Sequence, residues 1–197
     1  MKPSAPNSPC SPPVDSESVI AVTLTWVEKA VIGLNLCPFA RSVHAGQRIR
    51  YVVTGADSTD ALIEVLVQEL DLLAQADPAE VETTLLIHPR VLGDFLDYND
   101  FLDVADAAVE QLGLTGEVQV ASFHPRYQFA GTEPDDIDNF TNRSPYPTLH
   151  LLRESSVERA VAAYPDTDRI FENNIETLRR LGRAEWDQLG LATPADG

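Results

Sequence analysis

The chain has 197 residues, 44% of them hydrophobic, which is enough for one sizeable core and barely enough for two. Acidic residues outnumber basic ones 31 to 14, and the formal net charge of −17 argues against nucleic acid and anionic membrane as partners. A small anion stays compatible with that charge, because fields beyond a Debye length of about 8 Å are screened and a few arginines can dominate one pocket.

The opening stretch MKPSAPNSPCSPPVDSES is rich in Pro and Ser and has no apolar run, so residues 1–15 are expected to be a disordered tail. It lacks the apolar core of a secretory signal, and no stretch reaches the roughly 18 apolar residues of a membrane span. A cytoplasmic, reduced protein is expected. Cys10 in the tail and Cys37 at the end of an amphipathic segment do not read as a disulfide framework.

From about Ser16 to Asn35, Ile20, Leu24, Val27, Val31 and Leu34 recur at helical spacing, and Gly33 and Asn35 supply a stop. Residues 48–54 alternate with period two and end at Gly55, as a strand does. A helix over about 58–76 carries Leu62, Leu66, Leu70 and Leu73, and a short apolar run at 83–88 suits a buried strand. A third helix, about 99–112, uses Phe101, Ala105, Ala108 and Leu112 and closes at Gly113; residues 117–123 form a third strand. Thr148 to Leu152 form a fourth, Ser155 and Glu158 suggest a capping box for a short helix ending before Pro165, and a last helix starts near Thr167.

Alternating strands and helices predict one α/β domain over residues 16–191, with a flexible end at 192–197. Its sheet should be parallel or mixed, of about four strands, flanked by helices on both faces. The fourth strand has no helix before it and can return antiparallel beside the third.

Between strands three and four lies FHPRYQFAGTEPDDIDNFTNRSPYP, residues 123–147, without periodicity. Structureless connections beyond about 12–15 residues are usually functional or disordered, and the aromatics of this stretch argue against disorder. His-Pro-Arg occurs twice, at 88–90 and 124–126, each time at the carboxyl end of a predicted strand, the edge where open α/β sheets bind ligands. Proline also simply stops a strand, and a histidine there is as readily a hydrogen-bonded structural residue as an acid, base or metal ligand. With strand four antiparallel, Arg126 and Arg143 can converge on a carboxylate or phosphate. Alternatively both pair with Glu133, Asp135, Asp136 and Asp138 in an ordinary ion lattice.

Cys37 admits two geometries. At the carboxyl end of the first helix its thiolate is disfavoured; as N-cap of a short helix starting at Pro38, with Arg41 one turn on, it is favoured. His88, His124, His150 and Cys37 could together supply metal ligands, but no recognised ligand spacing is present. No cofactor is expected, and a weakly held divalent ion at the acidic run 133–139 is left open.

The blocks Leu34 to Ala40 (LNLCPFA), Phe123-His124-Pro125 with Tyr127 to Ala130, and Asn142 to Pro147 running into Leu149 to Glu154 resemble the signature of a family of bacterial and plant proteins known only as a domain of unknown function. The likeness spans roughly Trp26 to Trp186. It implies a single α/β domain, carries no activity or ligand, and puts Cys37, His124, Asn142, Arg143, Ser144, His150 and Arg153 inside the defining blocks.

Taken together, the residues point to an enzyme acting on a small anionic molecule. His124 would serve as acid or base, Cys37 as nucleophile, and Arg126 and Arg143 as anchors, with Arg41, Tyr127, Asn142, Ser144, Tyr146 and His150 around the substrate. A non-catalytic binding or scaffold protein using the 123–147 loop is the first alternative, and a metal-dependent enzyme with His and Cys ligands the second.

Overall fold

A computed structural model describes residues 14–163 and 169–191. Helix α1, Ser16–Trp26, is capped by the Asp15 carboxylate on the Ser18 N–H at 3.3 Å and continues as a wide π-helical segment, Val27–Ile32. Then come α2 (Ala40–Ala45), β1 (Ile49–Val53), α3 (Thr59–Gln75), β2 (Thr83–Ile87), α4 (Phe95–Gln111) and β3 (Val118–Phe123). A 3₁₀ turn at Ile137–Thr141 precedes β4 (Thr148–Arg153), α5 (Glu154–Ala163) and α6 (Ile170–Gln188).

The sheet order is β1-β2-β4-β3, with β1 parallel to β2 and β4 antiparallel to both its neighbours. The predicted mixed α/β sheet is therefore present. β4 lies beside β3 as expected, and it also separates β3 from β2.

Alternation along the strands sends the two sides of the sheet to two cores. Leu86, Leu149, Leu151 and Val118 pack against α3 and α4, where Leu62, Leu66, Leu70 and Leu73 are fully buried. Leu85, Ile87, Tyr51 and Phe123 turn to the other side, under α1, the π-helical segment and α6. Each fully buried leucine contributes about 1.5–3 kcal/mol relative to exposure.

Several boundaries differ from the sequence reading. α4 begins at Phe95, four residues before Asn99, because the Asp94 carboxylate accepts from the N–H of Leu96 at 2.9 Å and of Asp97 at 3.4 Å. α1 buries Val19, Thr23, Trp26, Val27 and Ala30, whereas Ile20, Leu24, Val31 and Leu34 are only half-buried, so its buried face lies mostly one residue earlier than the apolar spacing implied. α5 starts straight from β4 at Glu154, leaving Ser155 inside the helix instead of capping it. The expected tail and its Cys10, the flexible end and the starts and stops near Pro165 and Thr167 fall at residues 1–13, 164–168 and 192–197, outside the described residues.

Candidate functional site

The 123–147 connection is ordered around one side chain. Asn139, fully buried, accepts from the Phe129 N–H at 3.0 Å and the Thr132 hydroxyl at 2.8 Å, and donates to the Glu133 carbonyl at 2.8 Å. Asp138 then ties the loop to α6 through a two-pronged pair with Arg179 at 2.9 and 2.6 Å. The bonds of Asn139 satisfy polar groups that burial would otherwise strand, each at a cost of about 1–3 kcal/mol, whereas the Arg179 guanidinium is exposed.

Because β2 and β3 both run antiparallel to β4, the two His-Pro-Arg corners come to the same end of the sheet. His88 and His124 lie against Tyr98 of α4, with ring centroids 5.8 and 5.0 Å away. The His88 Nδ1 donates to the Val91 carbonyl at 3.0 Å, and the His124 Nε2 to the Leu92 carbonyl at 3.1 Å. The remaining His124 nitrogen, Nδ1, accepts the Arg126 N–H at 3.0 Å. His124 is 1% exposed, and both ring nitrogens are occupied, so no atom of it is left to exchange a proton with a substrate. Burial lowers both histidines to about 4, which keeps them neutral at pH 7.

Arg126 and Arg143 do not share a ligand position. Arg126 donates to the Gly93 carbonyl and lies 4.0 Å from Asp94. Arg143 donates to the Tyr127 carbonyl at 3.2 Å and to the Pro134 carbonyl, and stacks 4.2 Å over Phe140. The ion lattice with the loop's acids is also not what forms: both guanidiniums bind main-chain carbonyls. Tyr127 is packed between Phe95 and Phe129, Asn142 bonds the Ser122 carbonyl at 3.1 Å, Tyr146 joins the core under α6, and Arg41 reaches the Ile32 carbonyl at 3.4 Å. Arg153, 8% exposed, closes the end of α3 through the Ala76 carbonyl at 2.6 Å and the Val81 carbonyl at 3.2 Å.

A roomier space lies elsewhere. A cavity of 530 Å³ opens between the sheet and the helices on its α1 side. Its floor is the same-facing set Ile49, Thr83, Leu85, Ala121, His150 and Leu152, and its walls include Val27, Val31, Cys37 and Val43. Small Ala121 stands directly opposite His150 in the β3–β4 register, leaving room beside the imidazole. At the mouth, Arg48 and Arg159 both pair with the Glu82 carboxylate, Arg159 at 3.5 Å. A mostly apolar cleft of this size with few polar groups has the character of a ligand site.

His150 and Cys37 supply the polar contacts inside. The Thr83 hydroxyl has one proton, which it donates to the Leu151 carbonyl at 2.7 Å. It must therefore accept from the His150 Nε2, also at 2.7 Å, which fixes the protonated nitrogen as Nε2 and leaves Nδ1 as an acceptor. Burial holds this imidazole at about 4. Burial also pushes the Cys37 thiol up, only partly opposed by the Phe39 and Ala40 N–H groups. α2 starts at Ala40 with Phe39 before it, so Cys37 is not the cap that sequence geometry suggested, although its thiol meets those first N–H groups of α2.

Of the residues expected at the site, Cys37 and His150 thus share the large cavity. Arg143 and Ser144 share a smaller cleft of 170 Å³, and the rest line neither. Thr83, Ala121 and Arg183 were missed; only Thr83, at the start of an apolar strand, carried a local signal. Among the described residues no three His, Cys, Asp or Glu side chains gather as a metal-holding group, so His88, His124, His150 and Cys37 do not form the ligand set considered above. Among the same residues no helix is long and apolar enough to cross a membrane.

No curated protein and no solved structure matches the chain. A family model described as "Protein of unknown function (DUF1415)" matches residues 18–188, from within α1 to the end of α6, and takes in every lining residue named above for the two cavities. The chain belongs to that family.

Proposed function

We propose that the protein binds a small molecule with a mainly apolar body in the 530 Å³ cavity, where a hydrogen-bond donor of the ligand meets the His150 Nδ1. The observation that carries this reading is the cavity itself, apolar on Val27, Val31, Leu85 and Leu152 and polar at Cys37 and His150. Burying apolar ligand surface yields about 25 cal/mol per Å², while the unpaired acceptor selects ligands that can donate to it.

The test is titration with N-phenyl-1-naphthylamine, a neutral apolar fluorophore with one N–H. Saturable one-site binding is expected in the wild type, a several-fold loss in His150→Phe, and abolition in a folded Ala121→Trp variant, whose indole fills the floor. Equal affinity in Ala121→Trp and wild type would sink the reading.

A second reading is an enzyme acting on the bound molecule, favoured by a thiol and an imidazole in one cavity. The acid–base role then moves from His124 to His150, and Cys37 remains the candidate nucleophile. Both groups are held neutral, the thiol by an upward and the imidazole by a downward shift, so proton transfer between them is unfavourable until a ligand changes the environment. That resting chemistry supports binding ahead of catalysis. Turnover abolished by Cys37→Ala with ligand affinity unchanged would reverse the ranking.

A further inference from the structure

The 170 Å³ cleft lies on the far side of Trp26, whose ring lines both spaces. Its walls are aromatic and prolyl, with Phe140, Trp186, Pro125 and Pro145 around two guanidiniums. Arg143 and Arg183 have their guanidinium carbons 4.2 and 5.0 Å from the centroid of the same Phe140 ring. Arg183 is paired with Asp187 at 2.8 Å, whereas Arg143 has no carboxylate within ion-pair distance among the described residues and gives two of its five N–H donors to main-chain carbonyls. Two cations share one directly paired carboxylate, and Asp135 acts on Arg143 only from beyond ion-pair distance, so the cleft keeps a local excess of positive charge in a molecule whose formal charge is −17.

Keeping like charges on one ring is unfavourable, and the Arg143 charge is disfavoured first by its burial and then by Arg183, only partly offset by Asp135. The fold nonetheless fixes Arg143 in place through the loop carbonyls. Planar guanidiniums suit an oxyanion in a bidentate mode, and stacking on Phe140 holds them flat for it. The aromatic walls suit a compact apolar group carrying that oxyanion.

We infer that this cleft is an oxyanion site, separate from the apolar cavity, in which Arg143 and Arg183 take the carboxylate or phosphate of a small molecule. Arg126 and His124 are not part of it. The anion anchors expected from sequence, Arg126 with Arg143, are replaced by a pair whose second member comes from α6.

Calorimetric titration of the full chain with benzoate and with inorganic phosphate, at matched ionic strength, tests this. Saturable binding of at least one probe is expected, weakened at least tenfold in Arg183→Gln and in Arg143→Lys and unchanged in Arg126→Gln. Preference for benzoate would assign a carboxylate on an apolar body, and preference for phosphate a phosphorylated ligand. Arg183 is itself exposed, ion-paired only to the exposed Asp187 and otherwise resting on Phe140, so its variant folds even where Arg143 substitutions loosen the loop. No saturable binding of either probe, or equal affinity in Arg183→Gln, overturns the inference.

Discussion

Tyr98 shows how a side chain of ordinary appearance sets the geometry of this fold. Its hydroxyl donates to the Thr148 carbonyl at 2.8 Å and accepts the Phe123 N–H at 3.1 Å, joining α4 to the ends of β3 and β4, while its ring separates His88 from His124. Tyr98→Phe keeps the packing but strands both main-chain groups, and a loss of about 1–3 kcal/mol in urea unfolding is expected. An unchanged midpoint would mean that the two groups find other partners. The sequence marked both histidines through the repeated His-Pro-Arg, yet Tyr98 fell before the helix predicted from 99 onwards and carried no signal. His124 illustrates the limit from the other side: its position was legible, but whether its nitrogens face a substrate or a neighbouring loop depends on contacts 32 residues away.

Where an element obeys one period, the sequence reading held. α3 buries the four leucines spaced for it, and β4 alternates as a strand between two cores should. Across α1 the apolar spacing followed Ile20 and Leu24, yet Val19 and Thr23 are the buried residues, so the inferred face came out one residue late even before the wide π-helical turn that begins at Val27. The same wide turn constrains Gly33. A Cβ there would stand 2.2 Å from the Lys29 carbonyl oxygen, a main-chain atom that cannot swing aside. Gly33→Ala should therefore cost about 1–3 kcal/mol and shift the segment leading to Cys37, read as a lower thermal midpoint with weakened fluorophore binding. A neutral or stabilising outcome, as expected of Ala in a regular helix, would contradict the wide turn. Strand order lay beyond the reach of periodicity, because alternation along β4 says which face each residue takes and not which strands pair with it.

For the molecule as a whole, three enclosed histidines give stability a common dependence on pH. His88, His124 and His150 are held at about 4 by burial, whereas in an unfolded chain histidine titrates near 6.5. Between those values the unfolded state binds more protons, so stability is complete above about pH 6.5 and is lost as pH falls toward about 4. Each histidine contributes a slope of up to about 1.4 kcal/mol per pH unit, and urea midpoints measured from pH 7 to pH 4.5 should fall accordingly. A flat profile would show that the imidazoles become charged without unfolding. The sequence supplied the histidines and the net charge; it could not supply their enclosure, nor that Cys37 and His150 meet in one cavity while Arg143 meets Arg183 in another.

The proposed binding in the sheet-face cavity is tested most directly at Cys37, the only cysteine among the described residues. Alkylation by N-ethylmaleimide, followed at the Cys37 peptide by mass spectrometry, should be slow at pH 7 because burial raises the thiol above its ordinary value. Saturating N-phenyl-1-naphthylamine should slow it at least a further tenfold in the wild type and leave it unchanged in Ala121→Trp. A Cys37 rate indifferent to bound fluorophore in the wild type would place the ligand outside the cavity and contradict the proposal.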